Sequence, residues 1–146
     1  MKLISFYKFF VGTESKFVDS VTQGSQDLAE RYWASLNSAC LFFILFLVVM
    51  SIILCVYYFT AYNEQPRRHY RRTHWIGFYI GTVVFIFLGT AALGFLLTKP
   101  TVTGSKSLIW DIAAGNAVYS ILIFGVLSVV WWLWLPTNAY RLIGKR

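Results

Sequence analysis

Few residues in this chain could do chemistry, and they are scattered. Asp111 is the only charged side chain inside any of three long apolar runs. A carboxylate at membrane depth is costly, and it marks an ion path, a pairing site or a helix end that meets headgroup water. Asn116 follows five residues later. At 100° per residue the two stand about 140° apart on a helix, so they do not line one simple polar channel. Asp111 shares its face with Gly115, Val118, Leu122, Gly125 and Val129, and below Gly115 that face is apolar. For Asp111 and Asn116 the functional reading is a pore mouth or a contact with a partner chain. The plainer reading sets Asp111 in the first turns after Ser107, where the positive end of the helix dipole, Lys99 and Lys106 offset its charge.

The remaining candidates are weaker. His69 and His74 have only Glu64 nearby, too few ligands for a metal. Cys40 and Cys55 lie in one apolar run, about 22 Å apart if it is a helix. They cannot bridge each other, because a disulfide needs Cα atoms within about 7 Å; as free thiols they act as small hydrophobes. There is no GxSxG, HExxH or P-loop motif, no paired carboxylate, and no histidine within an apolar run to hold a haem. The expectation is a protein that is not an enzyme and carries no cofactor and no metal.

The elements around these residues are organised by the stretch from Glu64 to His74, which packs Arg67, Arg68, Arg71 and Arg72 between two uncharged apolar runs. Basic residues at a span end resist translocation, so this loop is expected inside, where it doubles as a contact for anionic headgroups. The chain has 146 residues, 58% of them hydrophobic and only 13% charged, with a net charge of +7. Such a composition exceeds the apolar share of a soluble domain, and the chain is too short to add a separate soluble domain. Anionic lipid is a nearer partner than nucleic acid, which is not expected.

The fold expected is all-α: a polytopic membrane protein of three transmembrane helices, at about 38–62, 75–98 and 107–136, preceded by an amphipathic, interfacial N-terminal segment over 1–36. Residues 37–146 then form the membrane domain. In the first eleven residues Phe6, Phe9 and Phe10 are expected to dip into lipid from a short interfacial helix. From Glu14 to Tyr32 the pattern is helical, with Phe17, Val21, Leu28 and Tyr32 in one arc. Gly24 and Ser25 divide it, and Ser25 can cap its second half. No proline or glycine falls between Ser25 and Tyr62, so one helix can run from there through the membrane.

The second span is rich in small residues. Gly77 and Gly81 form a GxxxG step that Ala92 continues, and with Gly89, and with Gly115 and Gly125 of the third span, they are the expected helix-packing positions. Ser105 or Ser107 is the expected cap of the third span. With the arginine loop inside, the N-terminus is outside and the C-terminus cytoplasmic. Arg141, Lys145 and Arg146 join the inner side, against Arg31, Lys99 and Lys106 near the spans outside, with Lys2, Lys8 and Lys16 outside as well, so the bias is modest. Tyrosines and tryptophans agree on depth: Tyr57, Tyr58, Tyr62, Trp75, Tyr79, Trp131, Trp132 and Trp134 cluster at the arginine level.

Two functions fit. One is a small subunit that scaffolds or anchors a larger inner-membrane complex for secretion, transport or envelope spanning, in contact with other subunits or copies of itself. The other is a homo-oligomeric ion channel or a membrane-permeabilising protein, holin-like or a defence effector.

Overall fold

Three apolar runs of hydrocarbon length leave the backbone one local solution, because in lipid every N–H and C=O must bond within its own segment. A computed structural model, which describes residues 3–21, 25–64, 71–135 and 139, shows three such helices and, among these residues, no strand. A 3-10 turn (Leu3–Tyr7) leads into α1 (Lys8–Val11), followed by α2 (Glu14–Ser20) and α3 (Gln26–Tyr57). A π-helical turn (Tyr58–Tyr62) continues α3, and α4 (Arg72–Thr98) and α5 (Ser105–Trp134) complete the bundle. Each of the three long helices is long and apolar enough to cross a membrane.

The first crossing helix runs unbroken for 37 residues, from Gln26 to Tyr62. That is about 55 Å of helix against a hydrocarbon layer of about 30 Å. The surplus lies at its amino end, where Gln26, Asp27, Glu30 and Arg31 are exposed. The buried residues of the three helices recur mostly every four positions: Phe43, Leu47, Ser51 and Cys55 on α3; Thr82, Ile86, Thr90 and Gly94 on α4; Ile112, Asn116, Ser120, Phe124 and Ser128 on α5. These stripes face one another in an up-down-up bundle.

Close approach is built from small residues. A Cβ on Gly94 would meet Ile109 Cγ2 at 2.5 Å, and one on Gly89 would collide with the ring of Phe46. A Cβ on Gly115 would lie 2.9 Å from Phe10, and one on Gly125 would sit 3.5 Å from the Tyr79 hydroxyl. Gly77 and Gly81 differ: both are exposed, with nothing within 4 Å of a Cβ, and Ala92 is exposed as well.

The amino-terminal segment departs from a helix that merely rests in the interface. Phe9 is 92% exposed and Phe6 is partly so, but Ile4, Tyr7 and Val11 are buried against the bundle. The turn out of α1 uses Gly12 at φ 73, a conformation that costs glycine nothing. Phe17 of α2 stacks on Trp33 with centroids 5.8 Å apart. Leu28 does not share the buried arc with Phe17, Val21 and Tyr32; it is 56% exposed. The reason is that α2 ends at Ser20 with Val21 extended, so helical register is not carried into α3.

Two expected caps also differ. Ser25 occupies the N-cap position of α3, but its side chain makes no capping bond. The N-cap of α5 is Gly104 at φ 79, and both serines donate backwards: Ser105 to the carbonyl of Val102, Ser107 to that of Gly104. The amino end of α5 is instead held by Tyr32, whose hydroxyl donates to the Ser105 carbonyl at 3.2 Å and lies 3.2 Å from Thr98 Oγ1.

Replacing Gly94 with Ala should destabilise the bundle by about 1–3 kcal/mol, because Ile109 is β-branched and cannot swing aside. Gly81→Ala should be neutral or stabilising by up to ~1 kcal/mol through helix propensity. Unfolding curves of the two variants in detergent micelles check both; equal losses would show that the glycine contacts are misassigned.

Candidate functional site

A polar side chain placed in an apolar helix must find partners, and in this chain one such residue gathers four segments. Asn116 is fully buried in α5. Its Oδ1 accepts the hydroxyl of Tyr7 at 2.7 Å. Its Nδ2 donates to Thr90 Oγ1 on α4 at 2.9 Å and to the backbone carbonyl of Phe43 on α3 at 3.2 Å. Both amide protons and the carbonyl are therefore engaged. The carboxamide ties all three crossing helices and the amino-terminal segment at one point.

That point is deep. Asn116 is eleven residues into α5, about 16 Å along the helix from Ser105. The segment that reaches it is too short to satisfy its own backbone, so side chains of the bundle complete it. The Ile4 N–H donates to Asn37 Oδ1 at 3.0 Å, and the Tyr119 hydroxyl donates to the Phe6 carbonyl at 3.0 Å. Non-helical backbone is tolerated at membrane depth only where protein covers it or water reaches it. Gly115 supplies the room: Phe10 and Tyr7 occupy the space its missing side chain leaves.

Asp111 stands one turn before Gly115 on the same face of α5 and is half-buried. Being the seventh residue of α5, it lies beyond the amide groups that form the positive end of the helix. Among the described residues it has no hydrogen-bond or ion-pair partner. Asn116 and Asp111 are thus not brought together. One closes the interior; the other sits on the flank that the amino-terminal segment lies along.

At the opposite end of the bundle Arg71 and Arg72 are exposed, while Arg67 and Arg68 lie outside the described residues. This end is aromatic throughout. Trp75 donates to Ser128 Oγ at 3.2 Å and packs on Trp132, and Phe59 stacks on Trp131. The Asn63 side chain closes the π-helical turn by donating to the Tyr58 carbonyl. Among the described residues the indole N–H groups of Trp131 and Trp132 are buried without an acceptor.

Above the first crossing, α1, α2 and the surplus of α3 surround an open cavity of about 670 Å³, lined in part by Lys8, Glu14, Asp19, Glu30 and Trp33. Among the described residues no group of three His, Cys, Asp or Glu side chains is placed to hold a metal ion. Cys40 and Cys55 are free and buried.

Sequence reasoning singled out Asn116 but not its partners Tyr7, Thr90 and Phe43. The usable signal was the asparagine itself: a carboxamide in an apolar helix requires about three hydrogen-bonding groups nearby. Tyr7 and Thr90 are the hydroxyl-bearing residues that answer it.

Tyr7→Phe should loosen the amino-terminal segment while leaving the crossings intact. Asn116→Leu should do so more strongly, losing three bonds worth about 0.6 kcal/mol each in membranes, ~2 kcal/mol together. Amide hydrogen exchange over residues 4–11 reads this directly. Exchange unchanged in both variants would remove Asn116 as the anchor of the segment.

Comparison with known protein families, with characterised proteins and with solved structures finds no match to this chain.

Proposed function

We propose that this chain is a non-enzymatic subunit of an inner-membrane complex, which it scaffolds or anchors, with its N-terminus outside and its C-terminus in the cytoplasm. The observation that carries this reading is where the polar residues are spent. Asn116, Tyr7, Asn37 and Tyr119 fasten an otherwise detachable segment to the bundle. Tyr32 and the Phe17–Trp33 stack fasten α2 and the surplus of α3 beside it. The result is a charged platform at the outer end of the bundle, including the cavity around Lys8, Glu14, Asp19 and Glu30. A part that holds other parts needs such fastening.

The orientation follows from the arginines. Arg71 and Arg72 flank the aromatic end, together with Arg67 and Arg68 in sequence, and positive residues stay on the cytoplasmic side. Anionic headgroups are the partner of that end.

One observation favours the second reading, a homo-oligomeric channel or permeabilising protein. Asp111 is a half-buried carboxylate in a crossing helix with no partner among the described residues. The centre of the bundle is filled by Phe43, Leu47, Ile86, Ile112 and Phe124, so a pore would have to form between copies.

Extraction in mild detergent should recover the chain with unlike membrane subunits, and its expression should leave the membrane potential intact. A ring of identical chains that collapses the potential would establish the channel instead, and Asp111→Asn would then have to change its ion selectivity. The threading has its own test. Because both native cysteines are buried, Leu28→Cys should react with an impermeant maleimide in intact cells, and Thr73→Cys only after permeabilisation. The reverse pattern would invert the topology.

A further inference from the structure

The open cavity of about 670 Å³ between α1, α2 and the amino end of α3 is lined by two kinds of residue. Ile4 and Trp33, both buried, and the half-buried Val18 supply apolar surface. Lys8, Glu14, Asp19 and Glu30 supply charge. Three carboxylates against one ammonium leave the lining acidic, in a chain whose net charge is +7. Glu14 is engaged within the chain, whereas Asp19 and Glu30 have no hydrogen-bond or ion-pair partner among the described residues. Exposed carboxylates alone call for nothing but water.

Trp33 adds a second and independent demand. It is only 4% exposed, and Phe17 stacks on its face, so the indole has an edge left to present. The N–H on that edge has no acceptor among the described residues. Unlike the N–H groups of Trp131 and Trp132, it is not sealed from the surface, and Trp33 borders this cavity. A nearly buried donor with an open approach calls for an acceptor from outside the chain. The cavity therefore asks for three things at once: an acceptor for Trp33, a cation for Asp19 and Glu30, and apolar contact for Ile4 and Val18. A peptide segment that carries lysine or arginine offers all three, as a main-chain carbonyl, a charged head and an apolar stem. A metal ion offers neither stem nor acceptor.

We infer that this cavity receives a basic extracytoplasmic segment of a partner subunit, with a cationic head at Asp19 and Glu30 and a main-chain carbonyl on the Trp33 N–H. The inference rests on the scaffold reading and deepens it, because it names the chemistry of the chain that the outer platform holds. Asp19 and Glu30 select the charge of the segment, and Trp33 fixes its backbone.

The test uses the full chain purified in detergent and a fluorescently labelled peptide of alternating glycine and arginine, blocked at both ends, with binding read by anisotropy. A counterpart with glutamate in place of arginine should not bind. Asp19→Asn and Glu30→Gln should each weaken the arginine peptide by about two- to fivefold. Asp27→Asn removes the same charge from an exposed position outside the cavity and should change nothing. Trp33→Phe keeps an aromatic ring against Phe17 and loses only the donor; it should cost about threefold. Equal losses in Asp27→Asn and Glu30→Gln reduce the binding to overall charge and overturn the site, as does a Trp33→Phe variant that binds like wild type. Displacement of the peptide by phosphatidylethanolamine overturns it too, since a lipid headgroup would then be the occupant. Co-purification keeps the two readings apart. Unlike subunits that stay with a Glu30→Gln, Asp19→Asn double variant sink the cavity and spare the scaffold, whereas a wild type that binds the peptide but is extracted alone sinks the scaffold and the partner assignment with it.

Discussion

A buried peptide group has no water to fall back on, and the structure depends on how this chain meets that constraint at its amino end. The 3-10 turn and the single turn of α1 cannot satisfy themselves, yet they lie against the bundle near the level of Asn116. Asn37 and Tyr119 take the Ile4 amide and the Phe6 carbonyl, and Asn116 takes the Tyr7 hydroxyl. The net gain from these bonds is small, because in membranes a single one averages about 0.6 kcal/mol. The penalty for leaving them unmade is larger, about 1–3 kcal/mol for each buried group. Asn116 therefore acts more as a selector than as a source of stability. A leucine there would pack, but it would not distinguish Tyr7 docked from Tyr7 absent.

The second organising fact is that lipid gives helices no hydrophobic reason to associate, so contact goes where backbones can approach. Gly89 receives Phe46, Gly94 receives Ile109 and Gly115 receives Phe10 and Tyr7. The sequence announces all of these as small residues but gives each the same weight. Gly77 and Gly81 carry the most familiar pattern and are the two glycines in their helix where an added Cβ would meet no described residue. A GxxxG spacing states that one face of a helix is narrow. It does not state which neighbour, if any, fills the space, because that depends on the rotation of the helix about its axis, set here by Thr90, Gly94 and Thr98.

The number, length and apolar character of the crossings were legible because hydrocarbon thickness leaves little freedom: about twenty residues are needed, and three runs supply them. The unbroken helix from Gln26 to Tyr62 was legible for a similarly simple reason, the lack of proline and glycine. What stayed hidden was tertiary. The arc through Phe17, Val21, Leu28 and Tyr32 assumed one helical register, and the extended backbone at Val21 ends it. Ser105 and Ser107 looked like caps, but their hydroxyls reach back to carbonyls. Tyr7 reads as one more aromatic in an amphipathic stretch until Asn116, more than a hundred residues away, is seen to need a donor.

These placements bear on how copies of the chain could cooperate. Gly94 meets Ile109, which sets Asp111 near that end of α4, whereas Gly77 lies seventeen residues away, about 25 Å of helix rise. An assembly joined through the open GxxxG step would therefore bring its arginine ends together and would not by that contact gather Asp111 around a shared axis. The face of α5 that carries Asp111 also carries Gly115, where Phe10 and Tyr7 are seated. A ring of carboxylates would thus need either a second interface or withdrawal of the amino-terminal segment from Asn116, whose carbonyl would lose the Tyr7 donor. The same polar contacts that fasten the amino-terminal segment to the bundle work against a pore, and this is why the scaffold reading is preferred on physical grounds.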